Sequence, residues 1–79
     1  MSPTIFRSGG FRFFFFSREE ARMHVHVHHA AGEAKFWIEP EIELVRNYGL
    51  SPWRITAAKI LIRRHEREIR EAWNGHFGR

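Results

Sequence analysis

His24, His26 and His28 recur at a two-residue period, and they are the residues here whose type and spacing most invite chemistry. In an extended chain alternate side chains share a face, so neighbouring imidazoles stand roughly 6.5–7 Å apart on one side. Neutral imidazoles at i and i+2 can converge on one divalent transition metal, at about 2.0 Å from each ring nitrogen. His24 and His26 are the candidate metal pair. His24 and His28 lie about 13 Å apart along a strand, too far to share the ion. A third ligand would have to be His29 brought in by a bend, Glu33 across a turn, or His65. Without a metal, the same strip reads as a half-exposed polar face whose imidazoles bond to carbonyls or glutamates, or meet an anion or a protein alongside arginines. Clustered imidazoles titrate near neutrality and oppose one another's protonation, so a pH-sensitive interface is a further reading. No other cofactor is implied.

His65 and Glu66 also invite a proton-transfer reading, but adjacent helix residues point about 100° apart and no nucleophile accompanies them. His65 reads better as a packed histidine with one hydrogen bond. HExxH, P-loop and GxGxxG patterns are missing from the sequence, and no reaction is assigned. Arg7, Arg12, Arg18 and Arg22 flank the first aromatic segment, where guanidiniums could reach phosphates and exposed Phe or Trp rings could stack bases. Glu39 to Glu43 is locally acidic and confines any basic footprint to the other side. Arg63, Arg64, Arg67 and Arg70 alternate with Glu66, Glu68 and Glu71 and read as a solvated, mutually neutralised face. The interaction candidates are Arg7, Arg12, Arg22, His24, His26, His28 and Trp37, with Trp73 beside them, although both tryptophans read better as core than as site.

Strands and one helix must position these groups. Thr4 to Arg7 and Phe11 to Phe16 are aromatic or β-branched runs around Ser8-Gly9-Gly10, the signature of a tight hairpin. Ser17 to Arg22 leads to the histidine strand, where Val25 and Val27 oppose the imidazoles. Ala30-Ala31-Gly32 then turns into Glu33 to Glu39, with Ala34, Phe36 and Ile38 facing the core. Pro40 ends that strand, and Ile42 to Val45 forms a short last one. Ser51 and Pro52 start a helix expected to run to about Trp73 and to stop at Asn74-Gly75. Its apolar stripe is Ile55, Ala58, Leu61, Ile62, Ile69, Ala72 and Trp73, with His65 in line. His76 and Phe77 pack back or fray. The expected fold is α+β: a curled antiparallel sheet of four to five strands packed by one C-terminal amphipathic helix.

A single 79-residue domain buries only about 60% of the surface its unfolded chain exposes, so partner burial would help it. Eight Phe and three Trp provide the contact area, and the unbroken Phe13 to Phe16 run asks for cover on both faces. A partner is the simpler cover, with a homo-oligomer, expected as a homodimer, as one form of it. There is no cysteine, which removes disulfides and thiolate metal sites, and every acidic residue is Glu. The net charge is +4, compatible with an anionic partner such as nucleic acid. The longest apolar run is far below the roughly 20 residues that span a bilayer, so neither a membrane nor a secretion role is expected and the location is expected to be cytoplasmic.

Several of these segments together resemble the DUF4160 family of small bacterial proteins of unassigned molecular function. The likeness rests on Pro3-Thr4-Ile5, the aromatic strand through Phe16, Met23-His24-Val25-His26-Val27, Gly32-Glu33-Ala34-Lys35-Phe36-Trp37, and the helix with His65-Glu66 and then Trp73. It covers nearly the whole chain. Many family members carry an Asp-His-x-Pro-Pro-His-x-His-like approach. Here Ser17 to His26 keeps the paired histidines and lacks the Asp and the double proline, which weakens any metal or relay role of the fuller motif. Family members are often encoded beside a DUF2442-type protein in pairs that look like toxin–antitoxin or small regulatory modules. The resemblance therefore implies heterotypic binding within a two-protein module. The alternatives are a His-centred metal-dependent nuclease or hydrolase, and an RNA- or DNA-binding regulator.

Overall fold

In the computed structural model, residues 4–16 and 22–77 are described. The expected polar approach at 17–21, with Arg18, lies outside them, as does Pro3. Five strands, β1 (Thr4–Ser8), β2 (Phe11–Phe14), β3 (His24–His29), β4 (Gly32–Trp37) and β5 (Glu43–Tyr48), form one antiparallel sheet in chain order. Two helices follow, α1 (Pro52–Arg64) and α2 (Glu66–His76). The α+β architecture is as the patterning predicts. No helix among the described residues is long and apolar enough to cross a membrane.

The β1–β2 hairpin turns at Gly9 and Gly10, both at positive φ, 58° and 84°. Two successive left-handed residues match the twist of a two-residue hairpin, and glycine adopts them without a Cβ penalty. Each edge strand carries a bulge. Ile5 is the extra residue where Thr4 pairs Phe14 and Phe6 pairs Phe13; Val45 is extra where Lys35 pairs Arg46 and Phe36 pairs Leu44. Such bulges blunt a sheet edge against further strand pairing.

The pairing divides the sheet by face. Phe6, Phe13, Val27 and Ala34 form one cross-strand row, with Val25 opposite Phe36 in the next, and these rows pack under the helices. Phe11, Phe13 and Phe15 alternate into this core with Ile38, Ala58, Ile62, Ile69 and Trp73. Phe15 lies past the end of β2, where its ring meets Trp73 edge-on at 5.2 Å and Phe77 at 6.0 Å. The run Phe13 to Phe16 is thus covered mainly from within the chain. Phe14, on the other face, is buried beneath the Arg12 guanidinium, 4.3 Å from its ring centroid, and beside His26. Phe16 alone of the four is exposed, at 45%.

Three expectations about the second half of the chain are corrected. β5 begins and ends later than Ile42 to Val45, because main-chain pairing to β4 continues through the polar residues Arg46, Asn47 and Tyr48. The single helix is two, interrupted at His65 with φ −107° and ψ 18°. The ladder bridges the interruption: His65 N donates to Leu61 O at 3.0 Å, and Ile69 N donates to His65 O at 2.9 Å. The His65 ring stacks on Phe6 at 3.9 Å, and Phe6 stacks on Phe13, which ties the interruption to β1. The C-terminal stop also moves, since α2 runs through Asn74 and Gly75 to His76 and is capped by Phe77.

Ser51 caps α1 as its pattern predicts, its Oγ accepting from Arg54 N at 3.4 Å, with Pro52 in the first turn. Asn47 closes the preceding turn by donating to Leu50 O at 2.9 Å and accepting from Leu50 N at 3.0 Å. At the core-distal side, Arg70 donates to Glu66 Oε2 at 2.9 Å and pairs with Glu39, joining α2 to the chain after β4. The hydrogen bond to Glu66 leads in raising the Arg70 pKa above its ordinary value.

Candidate functional site

With both helices packed on one side, the opposite side of the sheet is uncovered except at His24, which Trp73 of α2 reaches, and it carries most of the residues that the sequence singles out. Arg7 pairs with Arg12, Arg12 with His28, and His28 with Glu33, forming one cross-strand row. The next row is Phe14, His26, Lys35 and Arg46, followed by His24, Trp37 and Glu43. Arginine and lysine charges stand over rings across this face. Besides Arg12 on Phe14, the Arg22 guanidinium is 4.1 Å from the Trp37 ring and Lys35 Nζ is 4.8 Å from it. These contacts hold long cationic chains against aromatic surface while keeping their charge.

The three histidines of β3 share the open face by register but have different surroundings. His24 is fully buried; its Nδ1–H donates to Arg22 O at 2.7 Å, and its ring meets Trp73 at 5.1 Å and Trp37 at 5.9 Å, both nearly edge-on. The carbonyl acceptor requires the proton on Nδ1. His26 is half-buried between Phe16 at 4.4 Å and Phe14 at 5.5 Å. His28 is exposed and bonds to Glu33 Oε2 at 3.3 Å.

His24 and His26 do stand together, ring centroids 5.1 Å apart. Among the described residues no group of three or more His, Cys, Asp or Glu converges to hold a metal. Each expected third ligand is engaged elsewhere: His29 accepts from Ala31 N and lies beside Phe11, Glu33 bonds to His28, and His65 bonds to Glu68 at 3.1 Å. His65 is the packed, once-bonded histidine that its place in the helical stripe predicts, and the neighbouring carboxylate of Glu66 turns instead to Arg70.

Residues outside the sequence-based set complete two concavities. On the open face, a pocket of about 130 Å³ is lined by Phe16, His26, Glu33, Lys35, Arg46 and Tyr48. Tyr48 is 63% exposed, and it lies beyond the expected end of β5, which is why the sequence pattern passes over it. Lys35 could have been found, since it alternates with Ala34 and Phe36 in a strand the pattern identifies.

On the helix side, a groove of about 370 Å³ runs between the β1–β2 turn and α1. Phe11, Ala57, Ile60, Leu61 and Trp53 form its apolar wall, and His29, Arg54 and Arg64 stand with them. Trp53 is 65% exposed, with the Arg54 guanidinium 4.5 Å from its ring, and Ile60 is also exposed. The core stripe does not include Trp53 and Ile60, but Trp53, Ala57, Ile60 and Leu61 recur at i, i+4, i+7 and i+8, so the same helical spacing carries a second apolar face that a search for the core alone passes over.

Comparison with known proteins places this geometry in a family. No curated protein and no solved structure matches the chain. The family model described as "Domain of unknown function (DUF4160)" matches residues 10–74, a span that includes β2 to β5, α1, nearly all of α2 and the lining of both concavities apart from Gly9. The chain belongs to the DUF4160 family.

Proposed function

We propose that this protein is the protein-binding component of a bacterial two-protein module of toxin–antitoxin or small regulatory kind, and that the α1 groove grips the partner. The observation that carries the reading is the exposed Trp53 beside a 370 Å³ apolar groove rimmed by guanidiniums. Tryptophan and arginine dominate the binding energy of protein interfaces, and an exposed ring next to a concavity offers an anchor with little to rearrange. The rim is cationic, so the fitting occupant is an apolar segment that carries carboxylates. The lining holds one imidazole and two guanidiniums but no carboxylate or hydroxyl, a set suited to contact rather than to bond-making. The DUF2442-type neighbour implied by the family resemblance is the partner to test.

Co-expression with the product of the adjacent gene, followed by light-scattering mass measurement, checks the proposal. A single heterotypic species is expected, and Trp53→Glu is expected to split it while leaving the melting temperature within about 2 °C, since the ring is exposed. Two separate species at high micromolar concentration would contradict it. The chain measured alone reports on self-association, which the blunted edges of β1 and β5 disfavour through strand pairing.

A further inference from the structure

We infer that the open sheet face binds single-stranded RNA, with successive bases stacked on Phe16 and Tyr48 at the two sides of the pocket they line. This site lies on the other side of the molecule from the α1 groove and does not depend on it. Phe16 and Tyr48 are the large exposed rings of this face, and both line one 130 Å³ pocket. Base-on-ring stacking needs such exposed π-faces and tolerates any base.

The electrostatics fit a polyanion. His26, Lys35 and Arg46 are direct cross-strand partners, so three cationic or protonatable groups cross three strands as a row against the pocket. Arg12 and Arg7 continue cationic surface toward β1. Lys35 is only 9% exposed, its Nζ lies 4.8 Å from the Trp37 ring, and its side chain lines the pocket, which holds its charge at the pocket wall. Glu43, beyond Trp37 on β5, limits the basic track at that end.

One feature selects ribose over deoxyribose. Glu33, which bonds to His28 through Oε2 and has a second carboxylate oxygen, adds a carboxylate to this otherwise cationic lining, next to Tyr48 by register. A carboxylate repels phosphate but accepts a hydrogen bond from a hydroxyl, and the 2′-OH is the donor that DNA lacks. We therefore assign the bases to Phe16 and Tyr48, the phosphates to Lys35 and Arg46, and a ribose 2′-OH to Glu33.

Fluorescence anisotropy with a labelled oligouridylate of roughly eight nucleotides tests this directly, beside the matching deoxyribose strand. Binding to the ribose strand is expected at low salt and should weaken steeply as salt rises. Tyr48→Ala and Arg46→Ala, both at exposed positions, should each weaken it roughly tenfold. Glu33→Gln should reduce the preference for ribose. Absence of binding at low salt would overturn the inference, as would equal affinity for the two strands. Binding that survives Tyr48→Ala and Arg46→Ala together but is lost with Arg54→Ala would place the polyanion on α1 and equally overturn it.

Discussion

The His24 imidazole is enclosed by Trp73, Trp37 and His26 and donates to the Arg22 carbonyl, so its removal would open a cavity where sheet and helix meet. His24→Ala is expected to lower unfolding free energy by roughly 2–4 kcal/mol, the range for losing a buried ring, and His28→Ala by less than about 0.5 kcal/mol. Urea denaturation distinguishes them, and equal small losses would contradict the structural role given to His24. The period-two pattern made the shared face of His24, His26 and His28 legible. It could not reveal that His24 lies under Trp73, because that contact joins residues far apart in sequence. At Gly32, an added Cβ would lie 2.1 Å from the Tyr48 carbonyl oxygen, inside any allowed contact. Gly32→Ala should cost about 3 kcal/mol, at the upper end for overpacking, with thermal denaturation as the check. An unchanged melting temperature would show that β4 and β5 can separate there freely.

At the scale of elements, the helix interruption shows where periodicity stops informing. Ile62, Ile69 and Trp73 keep helical spacing across His65, so the apolar stripe reads as unbroken although the backbone leaves helical geometry at that residue. What marks the interruption is a cross-element contact, the stack of His65 on Phe6. The β5 boundary was obscured for a related reason: Arg46 to Tyr48 pair through the main chain and present polar side chains, leaving no apolar alternation to find. By contrast, the Gly9–Gly10 turn and the Ser51 cap depend on local chemistry and were readable directly. The bridge from Arg70 to Glu39 and Glu66 ties α2 to the chain after β4. Because the folded pKa of Arg70 is raised, its contribution is fully present below the unfolded value and is lost only at a pH above the folded one. Its own titration therefore opens no window near neutrality. Salt is the effective variable for so exposed a pair. Arg70→Met should cost at most about 1 kcal/mol at low ionic strength and less at 1 M salt, measured by urea denaturation.

Across the whole molecule, the sheet separates two kinds of surface. Its covered side carries both helices and the Trp53 groove, and its open side carries cations lying on rings. The net charge is +4, and cationic side chains line concavities on both sides, so composition alone could indicate an anionic partner but not which side would receive it. The aromatic excess was likewise legible as contact capacity, while its division into a packed core and a few exposed rings awaited the fold. The three tryptophans report on this division: Trp53 stands at the groove, Trp37 on the open face and Trp73 in the core. The most direct measurement is a ¹⁵N NMR titration that follows the three indole N–H resonances as the product of the adjacent gene is added. The Trp53 resonance is expected to shift or broaden while Trp37 and Trp73 stay in place. Movement of Trp37 with Trp53 unmoved would contradict the assignment of protein binding to α1.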